Sequence, residues 1–281
     1  MTVGIAGLGL IGGSLAKAYK FNTDYTVLGV DRDEVTFKRA VLVNAVDGKL
    51  TEENISECDF LLLAMYPSAA IKYMEENARF LRQGCCVIDC CGVKEAVCPK
   101  LFELSEKYGF AYIGGHPMAG RQFSGFKYAT EKLFDGACMI LVPRAGEDIA
   151  FLEKVKNFLK GAGFAHITVT SAARHDEIIA YTSQLAHLVS NAYVKSPSAE
   201  GHKGFSAGSY RDLTRVAKLS EALWTELFLA NRGNLISEVD FLIDSLTEYR
   251  DALAEGDQTR LMRLLREGRE RKERIDEEWR E

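Results

Sequence analysis

Three groups of residues combine side chains or bare backbone at spacings that suit chemistry. The first is Gly7-Leu8-Gly9-Leu10-Ile11-Gly12, which directly follows a short apolar run and opens an amphipathic one. In a dinucleotide-binding turn the first glycine makes the tight bend. The second lets backbone approach a pyrophosphate, and the third allows the helix to pack on its strand. The helix N-terminus, with its unpaired N–H groups and favourable dipole, then meets the phosphates. Glycine-rich turns are common, but this one lies between a strand and a helix, and Asp31 follows Gly12 by 31 − 12 = 19 residues. Asp31 is placed to accept hydrogen bonds from adenosine ribose hydroxyls and to repel a 2′-phosphate, which favours NAD over NADP. Arg32, next to it, is the residue type that would receive such a phosphate.

The second group is Gly114-Gly115-His116-Pro117-Met118-Ala119-Gly120, after an apolar run that reads as a strand ending at Ile113. A histidine held between glycines and a proline at the end of a parallel strand lies where open sheets bind ligands. Its pKa near neutrality suits it to accept a proton from an alcohol being oxidised. The third group is Gly208-Ser209-Tyr210-Arg211-Asp212-Leu213-Thr214-Arg215 at the start of a helix. Arg211 and Arg215 are four apart and share a helical face, a candidate clamp for a carboxylate. From spacing alone a surface salt-bridge face serves equally well.

The elements that must position these groups fall into two kinds. Up to about residue 170, short apolar runs at Thr2–Ala6, Thr26–Val30, Phe60–Ala64, Cys86–Asp89, Ala111–Ile113 and Ala137–Val142 read as strands. Several are apolar on both faces, as a buried parallel sheet requires. Helical stretches lie between them at Gly12–Tyr19, Glu34–Val43, Ala69–Phe80, Val93–Tyr108 and Asp148–Gly161. This alternation predicts an α/β fold with an N-terminal Rossmann-type doubly wound sheet over residues 1–171. Residues 172–281 are predicted to form an all-helical domain. Ile178, Tyr181, Leu185, Leu188 and Ala192 recur at helical spacing, as do Leu235, Val239, Leu242, Leu246, Tyr249 and Leu253. Ser196–Ser209 reads as the one loop between them, and the densely charged chain from Thr259 as a solvated terminal helix.

Composition narrows the function classes. The chain has 281 residues, 47% apolar and 27% charged, with 35 basic against 40 acidic side chains and a formal charge of −5. That length accommodates two modest domains, with little room for a third module. No concentrated basic face occurs in the first 200 residues, so nucleic-acid binding is not expected, while a small anionic substrate is compatible. No apolar stretch reaches the roughly 18 residues a membrane helix needs, so no membrane association is expected. Met1–Ala16 lacks the basic start of a signal peptide and is glycine-rich, so it reads as mature fold. The seven cysteines match neither a disulfide framework nor zinc-ligand spacing. They read as small apolar residues in a reducing cytoplasm, and no metal is expected.

In order and separation these motifs resemble the prephenate dehydrogenase family over essentially the whole chain. The resemblance rests on the glycine turn at 7–12, Asp89-Cys90-Cys91-Gly92-Val93-Lys94, Gly115-His116-Pro117-Met118-Ala119-Gly120, Ser183-Gln184-Leu185-Ala186-His187, and Tyr210-Arg211-Asp212-Leu213-Thr214-Arg215 followed by Trp224. It implies NAD-dependent oxidative decarboxylation of prephenate to 4-hydroxyphenylpyruvate in tyrosine biosynthesis, by a homodimer joined through its helical domains. It implies His116 as proton acceptor, Arg215 as clamp for the ring carboxylate, and His187 and Ser183 near the substrate. It also implies that a chain of this length has no space for the fused mutase or regulatory domain of some relatives, so tyrosine, if it inhibits, would do so by competing at the active site.

Two departures stand out. Gly92 replaces a serine that many members use toward the substrate hydroxyl, and Arg121-Gln122 replace a small hydroxyl residue and a carboxylate. Arg121 is a candidate for extra positive charge toward a substrate carboxylate. His187, in place of an acid, favours prephenate over arogenate, with arogenate still open. The alternatives are another two-domain dehydrogenase, which would need a catalytic lysine such as Lys195 or Lys203, and a nucleotide-sensing relative without turnover. The apolar face at Leu235–Leu253 serves as core or as dimer seam.

Overall fold

A computed structural model of the chain describes residues 1–121 and 123–278, so Gln122 lies outside the described residues. An eight-stranded sheet has the order β3-β2-β1-β4-β5-β6-β7-β8. The strands are β1 (Thr2–Ala6), β2 (Thr26–Val30), β3 (Gly48–Lys49), β4 (Phe60–Leu63), β5 (Cys86–Asp89), β6 (Ala111–Met118), β7 (Cys138–Val142) and β8 (His166–Val169). The helices that cross over between them are α1 (Leu10–Asn22), α2 (Glu34–Leu42), α3 (Pro67–Asn77), α4 (Cys98–Tyr108) and α5 (Ile149–Lys160). Their ends follow local chemistry. Asp33 accepts the Val35 and Thr36 N–H groups to start α2, Asp148 caps α5, Pro67 opens α3, and Gly109 at φ +78° ends α4.

The central strands are apolar on both sides because each side faces a helical layer. Phe60 and Leu62 of β4, with Cys86 and Ile88 of β5, join one cluster with Leu15 and Phe158. Their neighbours Leu61, Leu63 and Val87 join the opposite one with Leu101, Tyr112 and Leu227. Phe60 and Phe158 stack 3.7 Å apart. In sites this tightly filled, truncating a leucine to alanine costs about 2–5 kcal/mol. All seven cysteines are free thiols, five of them buried, and burial pushes Cys58 and Cys85 up to about 12.

Several elements differ from the sequence reading. The histidine strand does not stop at Ile113: β6 runs to Met118, parallel to β5 through Ile113 and then antiparallel to β7 from Gly114 to Met118. Glycines at 114 and 115 do not break it because a Cβ at 115 would sit 2.4 Å from the Asp89 carbonyl oxygen; the strands approach too closely for a side chain. The short strands β3 and β8 carry too little apolar pattern to be read. Helix α4 starts at Cys98 rather than Val93, because the 93–97 backbone is tied to other groups described below.

After β8 the chain is helical: α6 (Ala172–Ile179), a π-helical turn at Ala180–Leu185, α7 (Ala186–Tyr193), α8 (Gly208–Thr214), α9 (Glu221–Ala230), α10 (Arg232–Glu255) and α11 (Gln258–Glu278). The π turn shifts the helical phase. Ile178 and Tyr181, members of the apolar repeat, are exposed, whereas His175, Asp176, Ile179, Ala180 and Gln184 are buried. The 196–209 loop contains a 3-10 turn at Pro197–Gly201.

By compactness the chain divides into Met1–Arg232 and Gly233–Glu281. The break lies later than the change of sequence character at 171 because α6–α9 are bonded into the sheet unit. Ser68 N–H donates to Glu226 Oε1 (2.6 Å), and Lys94 N–H donates to Asp176 (2.8 Å). In the second unit Gly256 ends α10, Asp257 receives the Arg260 N–H to start α11, and the Tyr249 hydroxyl donates to the Leu264 carbonyl (3.1 Å). No helix among the described residues is long and apolar enough to cross a membrane.

Candidate active site

The turn between β1 and α1 uses its three glycines in three ways. Gly7, at φ +90°, has no room for a side chain: a Cβ there would lie 2.4 Å from the Ala64 carbonyl oxygen. At Gly12 a Cβ would lie 1.8 Å from the Gly7 carbonyl oxygen, so the helix can pack this closely only without one. Around Gly9 the space is open. Gly9 is also the N-cap of α1 and provides no capping side chain, and no acid occupies the first turn. The N–H groups at Leu10, Ile11 and Gly12 thus have no carboxylate competing for them. Asp31 sits at the end of β2, and its carboxylate accepts the Leu8 N–H (2.7 Å) and the Asp33 N–H (2.9 Å). It braces the glycine turn while keeping further lone pairs. Arg32 is exposed beside it. A bare helix start, an open glycine and an adjacent carboxylate fit a dinucleotide.

His116 lies within β6 and is only partly covered. Its Nδ1 is 2.8 Å from His175 Nε2, and His175 Nδ1 is 2.6 Å from Asp176 Oδ1. Asp176 in turn accepts the Lys94 N–H on Oδ1 (2.8 Å) and the Glu95 N–H on Oδ2 (2.9 Å). These two bonds hold residues 93–97 out of α4. Lys94 is wholly buried. Its ammonium pairs with Asp89 and donates to the Gly115 carbonyl (2.6 Å), next to the histidine. Asp89 also receives the Tyr112 hydroxyl (2.7 Å) and the Cys91 N–H (2.9 Å). Burial, the largest single influence, pulls the Lys94 pKa down, but the charge and hydrogen bond of Asp89 together with Cys91 and Cys98 raise it by more, and the net shift is upward. For His116, burial, then His175 and the Lys94 charge, hold the pKa well below 6.5, so the ring is neutral and can accept a proton at neutral pH.

His116 Nε2 faces Gly92. A Cβ built there would lie 3.9 Å from that nitrogen and 3.3 Å from Leu227 of α9. One turn back on the same helix face, Trp224 stacks on His187 with centroids 3.8 Å apart. His187 Nδ1–H donates to the Ser183 carbonyl (2.8 Å), leaving its Nε2 bare. Burial foremost, and the nearby Arg215 charge, lower the His187 pKa. Arg215 follows the last residue of α8 and is exposed, as is Arg211. Trp224 also lines a cavity of about 400 Å³ with Asn191, Lys195, Lys218 and Phe228.

The structure thus gathers His116 and Gly92 at one wall, and His187, Ser183, Trp224 and Arg215 at another linked to it through α9. Ser183 contributes its backbone carbonyl to this arrangement. Arg121 is exposed on the loop following β6 and is not tied to these residues. Lys203 is exposed in the loop before α8. His175 and Asp176 were missed by sequence reasoning. The available signal was two adjacent titratable residues on what turns out to be the buried face of α6.

Comparison with known proteins adds family membership. Residues 15–169 match the nucleotide-binding domain of prephenate dehydrogenase, and residues 171–267 match its dimerization domain. A prephenate dehydrogenase of Bacillus subtilis is 30% identical over 275 residues, covering 94% of this chain and 73% of that protein. The crystal structure of prephenate dehydrogenase from A. aeolicus, in complex with hydroxyphenyl propionate and NAD+, superposes with a TM-score of 0.82 at 26% identity, over 98% of both chains. That of Synechocystis arogenate dehydrogenase superposes with a TM-score of 0.81 at 25% identity, over 98% of this chain and 100% of that one. With both domains matched and the glycine turn and histidine strand in place, this chain belongs to the prephenate dehydrogenase family.

Proposed function

We propose that the protein oxidises and decarboxylates prephenate to 4-hydroxyphenylpyruvate with NAD, in the cytoplasm, as a step of tyrosine biosynthesis. The observation that carries this reading is His116: a neutral, buried-side-anchored imidazole whose Nε2 is turned to the gap at Gly92. Gly7, Gly9, Gly12 and the first turn of α1 hold the pyrophosphate, and Asp31 receives the adenosine ribose. The bound nicotinamide supplies the hydride acceptor. His116 Nε2 takes the proton of the ring hydroxyl as the carbon beside it loses hydride, a role worth about 10²–10⁴ in rate. Arg215 holds the ring carboxylate that departs as CO2, its fork suited to two carboxylate oxygens. Gly92 leaves no side chain between His116 and the substrate hydroxyl, so His116 acts on it alone or through water. Arg121 adds positive charge near the mouth, and an Arg121→Ala protein with unchanged KM would argue against that part.

Residues 1–171 are the NAD-binding domain in this reading, and 172–281 bind substrate and pair two copies in a homodimer. The junction of the two matched family domains, at 169 and 171, supports that division. His187, neutral in its surroundings, favours the keto acid over arogenate, whose ammonium calls for a carboxylate. The test is to mix the protein with NAD and either substrate and follow the absorbance of reduced nicotinamide. Faster turnover of arogenate would reverse the preference, and no NADH with either would sink the assignment. Sedimentation reports the oligomer.

A further inference from the structure

We propose that His175, held by Asp176, is a positioning residue that locks His116 in the tautomer whose Nε2 is free to accept a proton. The inference deepens the function proposed above and rests on it only for its kinetic consequence. Both oxygens of Asp176 already accept backbone N–H groups, from Lys94 and Glu95. Such a carboxylate presents lone pairs alone, so the ring nitrogen facing it at 2.6 Å, His175 Nδ1, must carry the hydrogen. A neutral His175 then has a bare Nε2. That atom lies 2.8 Å from His116 Nδ1, and a hydrogen bond between them requires His116 to be the donor. His116 Nδ1 is therefore protonated and Nε2 is not.

A positive charge on this pair, beside the Lys94 ammonium, is disfavoured by what surrounds it. The His175 and Asp176 side chains are wholly enclosed, and the Lys94 ammonium is bound to the carbonyl of Gly115, adjacent to His116. Lys94 and Asp89 from the β5 side, and Asp176 from α6, are the charged groups facing the two rings. The direction of the donor chain, Nδ1–H of His116 to His175 to Asp176, thus aims the one bare nitrogen at Gly92 and the substrate side. A histidine without this partner would distribute its proton between both nitrogens, and the fraction carrying it on Nε2 would be unable to act as base. A serine-protease triad fixes its histidine with a carboxylate by the same logic, and losing the correct tautomer there costs about 10⁴ in kcat.

The test combines a spectrum with kinetics. Two-bond proton–nitrogen correlation on ¹⁵N-histidine protein without cofactor reads which nitrogen of His116 carries hydrogen, with the His116→Asn spectrum giving the assignment. We expect Nδ1–H in the wild type, the same in His175→Gln, whose amide oxygen can accept that hydrogen, and Nε2–H or a mixture in His175→Leu. In turnover with prephenate and NAD, His175→Leu should lose about 100-fold in kcat with the KM for NAD unchanged, and His175→Gln should recover most of it. A wild-type His116 carrying hydrogen on Nε2 overturns the proposal, as does a His175→Leu protein with unaltered tautomer and kcat. If His175→Leu does not fold, the wild-type and His175→Gln spectra still decide. If the wild type turns over neither prephenate nor arogenate yet shows Nδ1–H, the assigned function fails and the tautomer lock stands.

Discussion

Around His116, the side chains of Asp89, Lys94, His175 and Asp176 expose nothing to solvent. Along α11, by contrast, Arg269, Arg271 and Lys272 meet Glu273, Glu267 and Asp276 with half or more of each side chain in water. The two regions use the same chemical types at comparable separations. What differs is what each side chain gave up to be there. The buried groups lost their hydration and recover it only through complete partnering: Asp176 binds two backbone N–H groups and a histidine, while Asp89 binds an ammonium, a phenol and backbone. Among the described residues no buried side-chain nitrogen or oxygen lacks a partner. Such a set is brittle and directional, which suits it to the role proposed for it, aiming the His116 ring. The α11 pairs lost little and gain little, and they keep the helix solvated.

The comparison can be broken first at the end of the buried chain. His116→Asn should lower kcat by about 10²–10⁴ while leaving NAD binding and the melting temperature near the wild-type values; titration calorimetry and thermal melts separate the two effects. Lys94→Met leaves Asp89 charged, enclosed and short of its cation, and should cost about 3–5 kcal/mol in denaturant unfolding. Adding Asp89→Leu should return part of that loss; a double variant worse than Lys94→Met would refute the account of the pair. If Arg215 clamps the substrate carboxylate as proposed, Arg215→Ala, at an exposed position, should raise the substrate KM by about 10- to 100-fold with no loss of stability.

The pH dependence follows from the sign of the His116 shift. Its folded pKa lies well below 6.5, so the base form persists through neutrality, and kcat/KM should fall only as pH drops below 6.5 toward that lowered value. Over the same interval the unfolded chain binds more protons than the folded one, so stability should also decline as pH falls from 6.5. An activity limb centred at or above 6.5 would contradict the burial of the ring. At the far end of the scale, Lys272→Ala on α11 should change unfolding free energy by no more than about 0.5 kcal/mol.

Legibility in the sequence follows the same divide. The glycine turn was readable because its roles belong to the backbone: where a Cβ is forbidden only glycine will do, and the letters say so at 7 and 12. His116 stood out as a candidate by its glycines and proline, and the sheet core was readable from apolar runs at 60–63 and 86–89. Its supporting chain was not, because His175 is 59 positions away (175 − 116) and nothing local marks two helix residues as facing a strand. The phase change at Ala180–Leu185 compounded this by turning Ile178 and Tyr181 outward. The antiparallel pairing of β6 with β7 escaped for a related reason: a run apolar on both sides looks the same in either direction.

Asp176 binds two things at once: the ring that orients His116, and the consecutive N–H groups of Lys94 and Glu95, just past Gly92. The ring nitrogen and the backbone opposite it therefore share an anchor. A substitution at Asp176 should therefore disturb both sides of the gap at once, where one at His175 should disturb only the ring.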